Sequence, residues 1–285
     1  MKEMLKNLLP ARFRPDVTIV PVVRLIGVIG QVGPMRAGLT LASVAPSLEK
    51  AFGFKQAPAV AIVISSPGGS PVQSRLIYKR IRDLAAEKNK HVHVFVEDVA
   101  ASGGYMLAVA GDEIVADPSS IVGSIGVISA GFGFDRLIDK IGVDRRVHTA
   151  GDRKLMLDPF QPEKAEDVKR LKAIQKDVHA VFAHLVKERR GAALAGSDKQ
   201  LFSGEFWAGG KALELGLVDR LGDLRSVLRE RYGEKVRPVV IQPRGAGIMG
   251  LLRRVPRAGA DPLASLPENL IAAIEERGLW SRYGL

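Results

Sequence analysis

The sequence predicts an α/β fold built on a parallel sheet, and three observations predict it. Strand-like and helix-like stretches alternate along the chain, which is the signature of strand–crossover–strand units. PAVAIVIS at 58–65 is an unbroken, largely β-branched run of the kind buried on both faces of a parallel sheet. Glycine-containing turns follow two consecutive strands, at the strand ends where open α/β sheets bind their ligands.

In chain order, VTIVPVVRLIGVIG at 17–30 reads as one or two strands, and the apolar spacing over 39–52 as a helix. After the strand at 58–65, SPGGS at 66–70 turns the chain into a helix over 72–87. HVHVFVE at 91–97 is the next strand. DVAASGGYMLAVAG then makes a second tight turn into a short apolar helix, and EIVA and SIGVIS are further strand candidates. The longest helix signal covers 162–190, where Val168, Leu171, Ile174, Val178, Val181 and Leu185 recur every three or four residues on one face. Shorter helices are expected over 208–216 and 223–232, and a last one over 267–277.

A 285-residue chain with 46% apolar and 26% charged residues can bury a core without staples. It has no cysteine, which excludes a disulfide framework, a thiolate nucleophile and Cys-ligated metal sites. The net charge is +11; residues 225–257 carry nine Lys/Arg against Glu230 and Glu234, and so contribute +7 of it. Such clustering suits an anionic lipid surface or nucleic acid, with a merely solvated face as the alternative. The most apolar early stretch, 17–33, contains Pro21, Arg24 and three glycines and reads as strand, not membrane span. The opening MKEMLKNLLPARFRP lacks the apolar core of a signal peptide.

Two turns carry candidate chemistry. Gly68 and Gly69 allow close backbone approach and can aim N–H groups into an oxyanion hole. Ser102 begins a helix, where it serves either as an N-cap or as a nucleophile favoured by the helix dipole. The five histidines offer no triad: His91 and His93 lie early on a strand, His179 and His184 on the long helix, and only His148 near a loop. Lys154, followed by Leu155, Met156 and Leu157, has the most apolar local setting of any loop lysine. Desolvation could make it a neutral base, and a snorkelling surface lysine is the alternative. Trp207 reads as a packing anchor and Asp98 as a loop or capping partner.

SSPGGS, AASGGYMLA, VGSIGVI, TAGDRK and GEFWAGGKALELGLVDRLG follow one another across about 59–225. In that order they resemble the signal peptide peptidase A family of serine proteases. The resemblance implies a ring-forming Clp-protease/crotonase-like spiral with a parallel sheet and surrounding helices. It matches Ser102 to the nucleophile, Lys154 to the general base and Ser124 to the hydroxyl that orients the lysine. It also implies backbone oxyanion donors at Gly69 and Gly103, with no metal or organic cofactor. One departure is Ser65, which stands where relatives carry Asn.

The expected function is thus a Ser–Lys endopeptidase for signal-peptide remnants or other short, unfolded, apolar peptides. A CoA-thioester hydratase or isomerase on the same fold, and an inactive membrane-associated scaffold, are the competing readings. The expected domains are a basic segment at 1–16, the peptidase domain at 17–242, and a basic linker with a helical tail at 243–285. Expected partners are peptide substrates, further copies of the chain in a ring and peripheral contact with anionic membrane, with no nucleic acid. The expected location is cytoplasmic, at or near the inner membrane surface.

Overall fold

The computed structural model describes residues 17–31, 38–242 and 266–285. The basic segment 1–16 lies outside them, as do residues 243–265 with Arg244, Arg253, Arg254 and Arg257.

Strands β1 (Ile19–Ile26), β2 (Ala59–Ser66) and β3 (His91–Ala101) pair in parallel at the centre of the sheet. The helices between them, α1 (Leu41–Phe52) and α2 (Pro71–Lys88), make the parallel crossovers. Their ends follow local chemistry. Thr40 and Ser43 form a reciprocal cap at the start of α1, and α2 opens on N-cap Ser70 with Pro71 in its first turn. All eight residues of β2 are buried, as its apolar run requires.

The first half of β3 pairs with β4 (Glu113–Ala116), whereas its last residues pair with β5 (Ile121–Gly123). Between the two halves Glu97 and Asp98 are exposed, and the register against β2 shifts. One strand therefore serves two neighbours, and the sheet divides there. Strand β6 (Phe206–Ala208) adds antiparallel to β5, β7 (Arg220–Leu221) adds to β4, and β8 (Arg237–Val240) adds to β1. The apolar short helix α3 (Gly103–Ala108) follows β3 and is wholly buried. One core lies between the sheet and α1, α2 and α3; a second, around Val63, Phe95 and Val115, is covered by α8 (Leu224–Tyr232) on the other face.

One expected strand is corrected. SIGVIS at 124–129 is irregular and the strand precedes it, because Gly123 at φ 115° and Ser124 at φ 52° leave extended backbone. The expected single or double first strand is one strand, ending at Ile26.

From residue 126 to 181 no residue is buried. This stretch holds the small helix α4 (Asp135–Lys140) and most of α5 (Ala165–Arg190). Ile128, Phe132, Leu137, Ile141 and Val143 are each more than half exposed there. The apolar face of α5 is covered only at its C-terminal end, by burial of Phe182, Leu185 and Val186. Such a density of uncovered apolar side chains is unusual for a free monomer surface. Further along are α6 (Asp198–Leu201) and α7 (Gly209–Glu214), and the described chain ends on α9 (Leu266–Ser281). Among the described residues no helix is long and apolar enough to cross a membrane.

Part of the basic stretch is spoken for. Arg231 lies 2.7 Å from Glu113 and Arg229 lies 3.7 Å from Glu234. The Arg231–Glu113 pair belongs to a network at the amino end of the sheet. His93 bonds Glu113 through Nδ1 and the Tyr232 hydroxyl through Nε2, each at 2.8 Å. His91, His93 and Glu113 also bring potential ligand atoms within 4.8 Å of one another. Both His93 nitrogens are already engaged and a guanidinium sits on the carboxylate, so the cluster is built as a hydrogen-bond and ion-pair lock.

Burial, reinforced by neighbouring His91 and Arg231, pulls the His93 pKa below its ordinary value, against the opposing pull of Glu113. The unfolded chain then binds the extra proton more readily, near pH ~6.5, so stability is present above that pH and declines as pH falls through it. Melting temperature is expected to drop between about pH 7 and 5.5 in the wild type. His93→Gln should flatten that slope; an equal slope in both proteins would remove His93 as the cause.

Candidate functional site

Strands β5, β3 and β2 lie side by side and parallel, so the residues that follow them emerge on one edge of the sheet. After β2 comes the Gly68-Gly69 turn, after β3 Ser102, and after β5 Ser124. Ser66 is in register with Ala100, and Ala101 with Gly123. Three of the motifs separated in sequence thereby converge.

Ser102 sits on a sharp strand-to-helix turn at φ 52° and ψ −122°, a strained conformation for a residue with a side chain. It is held there by its N–H donating to the Gly123 carbonyl at 2.8 Å, while its own carbonyl accepts from Tyr105 and Met106. Its side chain makes no capping bond to α3. The cap alternative thus fails, and a half-buried hydroxyl projects from a strained turn, the geometry that presents nucleophiles on α/β sheets.

The glycine turn is packed against this serine. A Cβ built on Gly68 would stand 2.8 Å from both the Ser102 Cβ and the Gly103 nitrogen. One built on Gly69 would stand 2.1 Å from the Ile29 carbonyl oxygen, so both positions exclude a side chain. The neighbouring bonds, from Ile29 to the Gly68 carbonyl and from Ser70 to the Ile29 carbonyl, fix the turn without using the Gly69 N–H. Gly103 opens α3, where an N–H has no partner within the helix. Among the described residues both N–H groups remain unspent beside Ser102.

Ser124 is buried next to this pair. It too has positive φ, and its N–H donates to the Glu205 carbonyl at 2.6 Å. Its hydroxyl oxygen accepts from the Tyr283 hydroxyl at 3.3 Å. Trp207 packs over Gly123, where a Cβ would come within 2.9 Å of its ring. Ser65, in place of Asn, donates to Asp98 at 2.9 Å and ties β2 to the exposed kink of β3.

Lys154 makes no hydrogen bond to Ser102 or Ser124 among the described residues. It lies on the exposed stretch and its side chain bonds nothing among the described residues. His148 is exposed on the same stretch. What the sequence reading missed is Tyr283, which reaches Ser124 from 159 residues away in sequence. No local pattern marks that contact.

Helices around a mostly parallel sheet, with a strained serine and a glycine turn at one edge, define a mixed α/β class consistent with the Clp-protease-like fold. Residues 85–235 match the model of peptidase family S49, and the chain belongs to that family. The chain is 59% identical over 291 residues to a protein named Na(+)/H(+) antiporter NhaA from Brucella abortus (strain 2308), covering 99% of this chain and 39% of that protein. It is 35% identical over 179 residues to Serine protease SPPA, chloroplastic, from Arabidopsis thaliana, covering 60% of this chain and 25% of that one. The chain thus spans less than two thirds of the length of either relative.

Proposed function

We propose that this chain is a serine endopeptidase that cleaves short, unfolded, apolar peptides with Ser102 as nucleophile and Lys154 as general base. The observation that carries the reading is the strained Ser102 turn, uncapped and flanked by two unspent backbone donors, in a member of peptidase family S49.

The Ser102 oxygen attacks the scissile carbonyl while its proton passes to the neutral amine of Lys154. The Gly69 and Gly103 N–H groups receive the charge on the carbonyl oxygen. As the intermediate collapses, the carbon–nitrogen bond breaks and the lysine returns its proton to the leaving amine. Water then attacks the acyl-enzyme, giving its proton to the same lysine; the ester bond breaks and Ser102 recovers its hydroxyl proton. Ser124 orients the lysine through its hydroxyl.

The exposure of Lys154 on an isolated chain gives this scheme a consequence. The amine is brought to the serine by assembly: the uncovered apolar stretch from 126 to 181 packs on a neighbouring copy in a ring, and that packing desolvates the lysine.

Hydrolysis of an apolar fluorogenic peptide by wild type, Ser102→Ala and Lys154→Ala tests the chemistry, and light scattering tests the assembly. Both variants are expected to lose turnover while keeping the wild-type melting temperature, and the wild type is expected to be larger than one chain. Undiminished turnover in Lys154→Ala would hand the base to another group, with His148 the first suspect. A monomer at micromolar concentration would end the assembly argument.

A further inference from the structure

We propose that the recess holding Tyr283 is a binding subsite for a large aromatic side chain of the peptide substrate, filled here by the chain's own segment. The proposal rests on the peptidase reading of the same site and assigns it a substrate preference.

The recess is walled by Val99 and Ala101 of β3, Ile121 of β5 and the Phe206 ring of β6, with Trp280 closing it from the segment's side. Ala101 is the residue before Ser102, and Ser124 lies at the far end, so the recess opens beside the proposed scissile bond. Tyr283 fills it edge-to-face with Phe206 at 5.1 Å and is only 8% exposed, whereas Arg282, Gly284 and Leu285 on either side are exposed. The aromatic ring meets apolar walls and its hydroxyl meets Ser124, an arrangement selective for a ring with or without a polar tip.

The manner of docking says the occupant is exchangeable. Tyr283 and Leu285 donate their N–H groups to the Trp280 carbonyl within their own turn. Among the described residues no backbone hydrogen bond joins this segment to the sheet. The segment is therefore held by its side chains, and a substrate strand with an aromatic residue offers the same contacts. Tyr283 also donates to the hydroxyl that is proposed to orient Lys154, so the filled recess occupies one of that oxygen's acceptor positions. Substrate arrival has to displace it.

Two measurements on the full chain test this. In the first, a labelled peptide of sequence GLWSRYGL, residues 278–285, is titrated by anisotropy against wild type and Tyr283→Ala. Binding to the variant is expected to be at least about 10-fold tighter, and the same peptide with Ala for Tyr should not bind. Equal, weak binding to both proteins would overturn the subsite. In the second, peptides that differ by Phe or Ala beside the cleaved bond are compared. Wild type should favour Phe, and Tyr283→Ala should raise kcat/KM for the Phe peptide several-fold more than for the Ala peptide. Hydrolysis that depends on Ser102 yet ignores both the Phe and Tyr283 would leave the peptidase and sink the subsite. Absence of hydrolysis in every protein would sink the peptidase reading, while the anisotropy still judges the recess.

Discussion

Co-expressed Ser102→Ala and Lys154→Ala chains are expected to recover turnover that neither variant has alone. Each single change removes one half of a pair that acts as a unit, so each should cost at least about 1,000-fold in kcat. If the serine of one chain is served by the lysine of its neighbour, mixed rings contain sites with both groups intact. Random mixing then restores about a quarter of the wild-type sites, since each site needs its serine and its lysine from the appropriate parents. Lysine and serine drawn from one chain would give no such rescue. The structural reason to expect sharing is that Lys154 sits on a stretch with no buried residue from 126 to 181, while Ser102 and Ser124 are held on the rigid sheet. A mixture as dead as its parents would return the lysine to its own chain and leave the exposed apolar side chains without a purpose.

How much of this was legible in the sequence depends on the range of the contact. The strands and helices were readable because their signals are local: the apolar run of β2, the SPGGS turn that precedes α2, the spaced apolar face of α5. The serine and the glycine turn were readable because each sits directly after a strand in a parallel sheet, and topology alone places such residues on one edge. The strand misplaced at 124–129 shows the limit. Its β-branched composition is right, but the positive φ of Ser124 is imposed by the Glu205 carbonyl, a partner far along the chain. Tyr283 was invisible for the same reason, since it meets Ser124 from 159 residues away along the chain. Lys154 marks a third kind of limit: its local apolar setting suggested burial, yet on a single chain Leu155 and Met156 are only half-buried and Lys154 and Leu157 are exposed. What an assembly buries is not written in one chain's local pattern.

Gly69→Ala is expected to damage both the fold and the chemistry, and a second glycine separates the two effects. At Gly69 φ is 139°, and an added Cβ would lie 2.1 Å from the Ile29 carbonyl oxygen. Backbone must give way, because the obstacle is backbone and not a flexible side chain. The backbone strain alone is worth roughly 1–3 kcal/mol, and the forced separation from Ile29 adds to it. Gly216 presents the same conflict away from the site, at φ 73° with a Cβ only 1.7 Å from the Ala193 carbonyl oxygen. Gly216→Ala should therefore lower the melting temperature comparably while the molecules that remain folded keep their kcat. Gly69→Ala should also swing a backbone N–H away from the carbonyl it is proposed to receive, costing on the order of 100-fold in kcat per folded molecule. Chemical denaturation gives the stability term, and active-site titration of Ser102 with a fluorophosphonate gives the concentration of competent sites. Equal kcat per titrated site in Gly69→Ala and Gly216→Ala would strip Gly69 of its oxyanion role and leave it a turn residue alone.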